Sequence, residues 1–177
     1  MHRLFVAIRP PIAIRRTLHA CMGGIIGARW QDDEQLHITL RFVGEIERHC
    51  ANDLAAALSE IHFHPFDIAL AGLGQFDRKG RVDTLWAGVQ PREPLTQLHQ
   101  RVDRACVSVG LPPDERAYLP HITLARFGRL AGSTADFMTR HGGLTSAPFT
   151  VDGFALFESH LSHEGAAYHM MDRYSAG

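Results

Sequence analysis

Two four-residue stretches of this chain are identical: His37-Ile38-Thr39-Leu40 and His121-Ile122-Thr123-Leu124, 84 positions apart. Ile, Thr and Leu suit a β-strand, and a strand turns residues i and i+2 to the same face. Each copy therefore aims an imidazole and a hydroxyl one way and two apolar side chains the other. If both polar faces meet one pocket, the two imidazoles can serve as general base and general acid. An unperturbed imidazole titrates near about 6.5, so one can be neutral while the other is charged. The threonine hydroxyls add neutral hydrogen-bond donors. That set suits a phosphodiester. One histidine takes a proton from water and the other protonates a departing ribose oxygen. The hydroxyls, with an arginine, hold the non-bridging oxygens as charge builds on them.

Other chemistries lack their residues. The chain has no HExxH, no G-x-S-x-G and no GKS or GKT, and Gly72-Leu73-Gly74 lacks the third glycine of a dinucleotide fingerprint. Two histidines fall short of the three or four protein ligands of a zinc site. No metal and no cofactor are therefore expected. An Arg-Phe pair follows each motif, Arg41-Phe42 directly and Arg126-Phe127 after Ala125, so either arginine is a candidate phosphate ligand.

The elements that must position these residues read as follows. Leu4 to Ile8 is a short buried strand, and Ile12 to Ile26 a helix weakened by Gly23-Gly24. Arg29-Trp30 begins a strand, and Asp32-Asp33-Glu34 is a polar connection. The first motif strand runs from Leu36 to Val43 and is ended by Gly44. A helix over Ile46–Ile61 follows. Then comes a strand over Phe66–Phe76, bent or bulged near its glycines, the charged turn Asp77–Arg81, and a strand over Thr84–Val89 that pairs with it. A helix over Pro94–Val109 stops at Gly110, and the second motif strand runs from Leu119 to Phe127. Ser133 caps a short helix to His141. Phe149–Phe157 and Ala167–Tyr174 are two last strands. A helix and two strands follow each motif, so the chain reads as a degenerate duplication about a pseudo-twofold axis, with both His-Thr faces turned to one cleft.

The 177 residues amount to a single domain or two small lobes, with 45% hydrophobic and 21% charged residues, enough for a sizeable core. Net charge is −1, which gives no global grip on long nucleic acid. Lys79 is the only lysine, so nearly every cation is a forked guanidinium suited to phosphate. Cys21, Cys50 and Cys106 are scattered and odd in number, which fits a reducing cytosol and a cytoplasmic protein. No stretch is long and apolar enough for a membrane helix.

With these residues in view, the paired motifs resemble the 2H phosphoesterase superfamily, and within it the RNA 2′,3′-cyclic phosphodiesterases of LigT/ThpR type. The similarity also rests on Arg3-Leu4-Phe5-Val6-Ala7-Ile8, Trp30, Leu85-Trp86-Ala87-Gly88-Val89, Pro120 and Phe149-Thr150-Val151. It implies an α+β fold over residues 1–177, bilobal, with two antiparallel sheets flanking a central cleft, helices packed outside and one motif in each lobe. It also implies metal-independent hydrolysis of a terminal 2′,3′-cyclic phosphate to a 2′-phosphate. In that case His37 is the proton donor and His121 the proton acceptor. Thr39, Thr123 and Arg126 bind phosphate, and Phe42 or Trp30 offers a surface for a base to stack on. Partners are RNA ends or nucleotides with a 2′,3′-cyclic phosphate, acted on by a monomer. The alternatives are a 2′-5′ RNA ligase or phosphodiesterase using the same site, and a nucleotide-binding module with little turnover.

Overall fold

The structure, a computed structural model, describes residues 1–177. In chain order the elements are β1 (His2–Ile8), α1 (Ile12–Cys21), β2 (Ala28–Trp30), a single 3-10 turn (Asp33–Gln35), β3 (Ile38–Ile46), α2 (Arg48–Ser59), β4 (Phe66–Arg78), β5 (Arg81–Gln90), α3 (Glu93–Ser108), β6 (His121–Phe127), α4 (Ala135–His141), β7 (Phe149–Val151), β8 (Gly153–Ser162) and β9 (Gly165–Ser175). No helix is long and apolar enough to cross a membrane.

All strand pairings are antiparallel, in the order β7-β4-β5-β6-β3-β1-β8-β9, with β2 alongside β6. The two motif strands are central neighbours, joined by the single pair Ile38 and Ile122. These are the same residue of each motif, as a local twofold between β3 and β6 requires. In place of two separate sheets the strands form one large antiparallel sheet, with a half on either side of this pair. The halves do not follow the chain, however. After its motif each segment crosses over: β4 pairs with β5 in the half of the second motif, while β8 pairs with β1 in the half of the first.

Three boundaries differ from the sequence reading. α1 ends at Cys21, because Gly23 and Gly24 take φ of +120° and +79°, outside helical space. β3 continues through Gly44 to Ile46 and takes the start of the expected second helix with it. The strand expected over Phe149–Phe157 is two strands broken at Asp152. β7 pairs with β4 at one end of the order and β8 with β1 near the other. One residue joins them, so the sheet curls until its two ends meet.

The main core holds 29 buried residues, drawn from β1 and β3 to β9 and from the inner sides of α1, α2 and α3. At about 25 cal/mol per Å² of apolar surface removed from water, burial of this kind is the dominant stabilising contribution. A second, small aromatic cluster of Phe5, Ala7, Ala155 and Phe157 lies on the opposite face of β1 and β8. That opposite face carries the site.

Candidate active site

Ile38, Leu40, Ile122 and Leu124 are all buried in the main core. By strand alternation His37, Thr39, His121 and Thr123 face the other way, where all four are half-buried. Antiparallel pairing at Ile38–Ile122 sets the two motifs head to tail, each imidazole toward the other motif's threonine. The four sequence-derived side chains therefore share one face of one sheet.

Alternation then breaks, at the same place in both strands. On β3, Ala7 pairs with Thr39 but Val6 with Arg41, so Leu40 is an extra residue. On β6, Trp86 pairs with Thr123 but Leu85 with Ala125, so Leu124 is extra. A bulge reverses the face of every residue beyond it. Strict alternation would have put Arg41 in the cleft and Arg126 in the core. Instead Arg41 turns into the protein, 6% exposed, with Nη1 2.9 Å from Asp103 Oδ1 and a second hydrogen bond to the Pro112 carbonyl. Arg126 turns into the cleft, where its charge bears on both histidines. Phe42, five residues after His37 as Arg126 is after His121, emerges 50% exposed beside Phe5, with ring centroids 5.9 Å apart.

The β3 bulge is braced from behind. His99, buried on α3, donates from Nδ1 to the Leu40 carbonyl at 2.6 Å, and the Tyr118 hydroxyl donates to the Thr39 carbonyl at 2.9 Å. The two rings stack with centroids 4.2 Å apart. Asp103 also accepts the Asp114 N–H at 3.0 Å. These residues lie on the core side of β3, and neither His99 nor Asp103 is part of a sequence motif.

Both imidazoles are oriented alike. His37 Nδ1 lies 2.7 Å from the Gln35 carbonyl and His121 Nδ1 2.7 Å from the Leu119 carbonyl. A carbonyl oxygen only accepts, so Nδ1 carries the hydrogen in each ring and Nε2 is left for chemistry. His37 Nε2 is 2.9 Å from Thr39 Oγ1. Gln35 itself is held by its amide to the Ala166 carbonyl at 2.9 Å, and by accepting the Asp32 N–H at 3.1 Å.

Aromatic rings enclose each imidazole. Phe5 and Tyr168 lie 5.0 Å and 5.4 Å from His37, and Phe76 and Trp86 lie 5.0 Å and 5.7 Å from His121. The Trp86 indole rests on Gly74, where any Cβ would come within 2.2 Å of the ring. Burial pushes His37 down to about 4 against the pull of the Gln35 carbonyl, and the positive charges of His121 and Arg126 push it further. Burial and the Arg126 charge also lower His121. Tyr168 is raised by burial.

Trp30, the other expected stacking surface, turns away. It packs on Phe137 of α4, ring centroids 5.4 Å apart, and covers the core. Sequence reasoning missed Phe5, Tyr168, Phe76 and Trp86 as parts of the site. The run Leu4-Phe5-Val6-Ala7-Ile8 is apolar on both faces, so periodicity could not separate its cleft side from its core side.

Comparison with known proteins identifies the family. A profile of the 2′-5′ RNA ligase superfamily matches residues 26–162, and the chain belongs to that superfamily. The RNA 2′,3′-cyclic phosphodiesterase of Aeropyrum pernix is 33% identical over 140 residues, 77% of this chain and 80% of that protein. The protein of the same name from Archaeoglobus fulgidus is 30% identical over 169 residues, 94% of this chain and 96% of that one. Among solved structures, TT0787 of Thermus thermophilus matches with a TM-score of 0.81 at 26% identity, covering 98% of this chain and 97% of that one. E. coli LigT complexed with 3′-AMP matches with a TM-score of 0.79 at 25% identity, covering 99% and 98%. The fold class expected from the paired motifs is thus the one observed.

Proposed function

We propose that this protein is an RNA 2′,3′-cyclic phosphodiesterase that opens a terminal cyclic phosphate to a 2′-phosphomonoester. The observation that carries this reading is the pair of imidazoles on one cleft face, each with Nδ1 tied to a carbonyl, beside an arginine unpaired with any carboxylate. His121 takes a proton from water through Nε2 as the water oxygen bonds to phosphorus. The bond from phosphorus to the 3′ oxygen breaks, and His37 delivers its Nε2 proton to that oxygen. Thr39, Thr123 and Arg126 hold the non-bridging oxygens, and Phe42 offers its exposed ring to a base. The two halves of the sheet serve as the two lobes of one domain. The superfamily's name supports a second reading on the same site, in which a ribose hydroxyl replaces water and a 2′-5′ linkage forms.

The test is incubation with an RNA oligomer ending in a 2′,3′-cyclic phosphate. Phosphate retained at the 2′ position is the expected product. Phosphate at 3′ would reverse the leaving-group assignment, and binding without turnover would favour a nucleotide-binding module.

The acid role of His37 requires a proton that the free site disfavours, since its pKa there is about 4. A bound phosphodiester supplies the missing negative charge and raises it. Binding of a nucleoside 2′,3′-cyclic phosphate to the inactive His121→Ala variant near about pH 6.5 should therefore take up protons. The ligand has no group titrating there, so calorimetry in buffers of different ionisation enthalpy reads the uptake of His37 directly. No uptake would mean that His37 stays neutral and is not the acid.

A further inference from the structure

We propose that Arg29 forms a second anion subsite beside Arg126 and holds the internucleotide phosphate on the 5′ side of the reacting nucleotide. This rests on the phosphodiesterase reading and extends it from nucleotides to RNA chains. Arg29 and Arg126 are direct cross-strand partners in β2 and β6. Such partners point to the same face. The flanking partners, Ala28 with Phe127 and Trp30 with Ala125, all contribute to the core cluster under this end of the sheet. Arg29 therefore faces the cleft alongside Arg126, one strand spacing (~4.8 Å) across from it, on the edge of β6 that β3 also occupies, because β5 pairs along the other edge.

Two like charges directly opposite each other destabilise an antiparallel pair. Here no carboxylate of the protein offsets that repulsion, since neither residue takes part in any ion pair, and both are open to a ligand from solvent. Phosphates bound at the two guanidiniums offset the repulsion and gain forked, charge-assisted hydrogen bonds. With Arg126 engaged on the reacting phosphate, the anion left for Arg29 is the next one along the same strand.

The test compares two dinucleotides with the same 2′,3′-cyclic end, one joined by an ordinary phosphodiester and the other by an uncharged methylphosphonate. Wild-type kcat/KM should be about tenfold higher for the charged linkage, the effect of one charge-assisted hydrogen bond in an open groove. The plot of log kcat/KM against log salt should be steeper by about 0.7 for that substrate. Arg29→Ala, at an exposed position, should bring the ratio close to one, and Arg29→Lys should keep part of it. A wild-type ratio near one, or an unchanged ratio in Arg29→Ala, would overturn the subsite. Hydrolysis of neither dinucleotide by the wild type would overturn the phosphodiesterase reading and the subsite with it.

Discussion

His121→Ala and His37→Ala should each lower kcat on a nucleoside 2′,3′-cyclic phosphate by about 10²–10⁴-fold, the contribution of one positioned acid or base. Each ring presents a single nitrogen to the cleft, because its Nδ1 is spent on a backbone carbonyl. No neighbour duplicates either ring: the groups packed on them are Phe5, Tyr168, Phe76 and Trp86, and burial keeps the tyrosine's proton on at neutral pH. The two losses should not add in the double variant, since the acid and the base act in one transition state. Circular dichroism and Tm would establish that each variant is folded, and His37→Gln, which fills the same enclosure, separates loss of the acid from loss of packing. Wild-type turnover in any of these folded variants would sink the mechanism.

Asp103→Ala should have the largest effect on stability, about 3–5 kcal/mol, as when one partner of a buried ion pair is removed and the other charge is left uncompensated. Arg41 is 6% exposed, and its guanidinium has one carboxylate within reach, Asp103 at 2.9 Å. For a chain of this size the loss corresponds to a fall in Tm of roughly 6–20 °C. The same change frees the β3 bulge, because Arg41 is the residue whose burial turns Phe42 outward. Activity measured well below the new Tm should therefore drop as well. Arg41→Met together with Asp103→Leu, which replaces the pair by apolar side chains, should recover much of the stability. A Tm in Asp103→Ala within a degree or two of wild type would show that the pair holds nothing in place.

The sequence by itself marked the candidate catalytic side chains and most of the elements. Identical His-x-Thr strands declare their polar and apolar faces through a period of two, and that period held for His37, Thr39, His121 and Thr123. Helix and strand positions followed from apolar spacing and from glycine and proline, and the bend expected near Gly72 is a real shift in register between Leu70 and Leu73. What sequence periodicity could not decide was which arginine faces the cleft. Arg41 and Arg126 follow their motifs at offsets of different parity, and alternation favours Arg41. Only the paired bulges at Leu40 and Leu124, set by neighbouring strands and braced on β3 by His99 and Tyr118, send Arg41 into the protein and Arg126 into the cleft. Likewise only the tertiary structure splits Phe149–Phe157 between opposite halves of the sheet. Both outcomes depend on residues far away in the chain, and a local pattern carries no record of the partner against which a strand will pair.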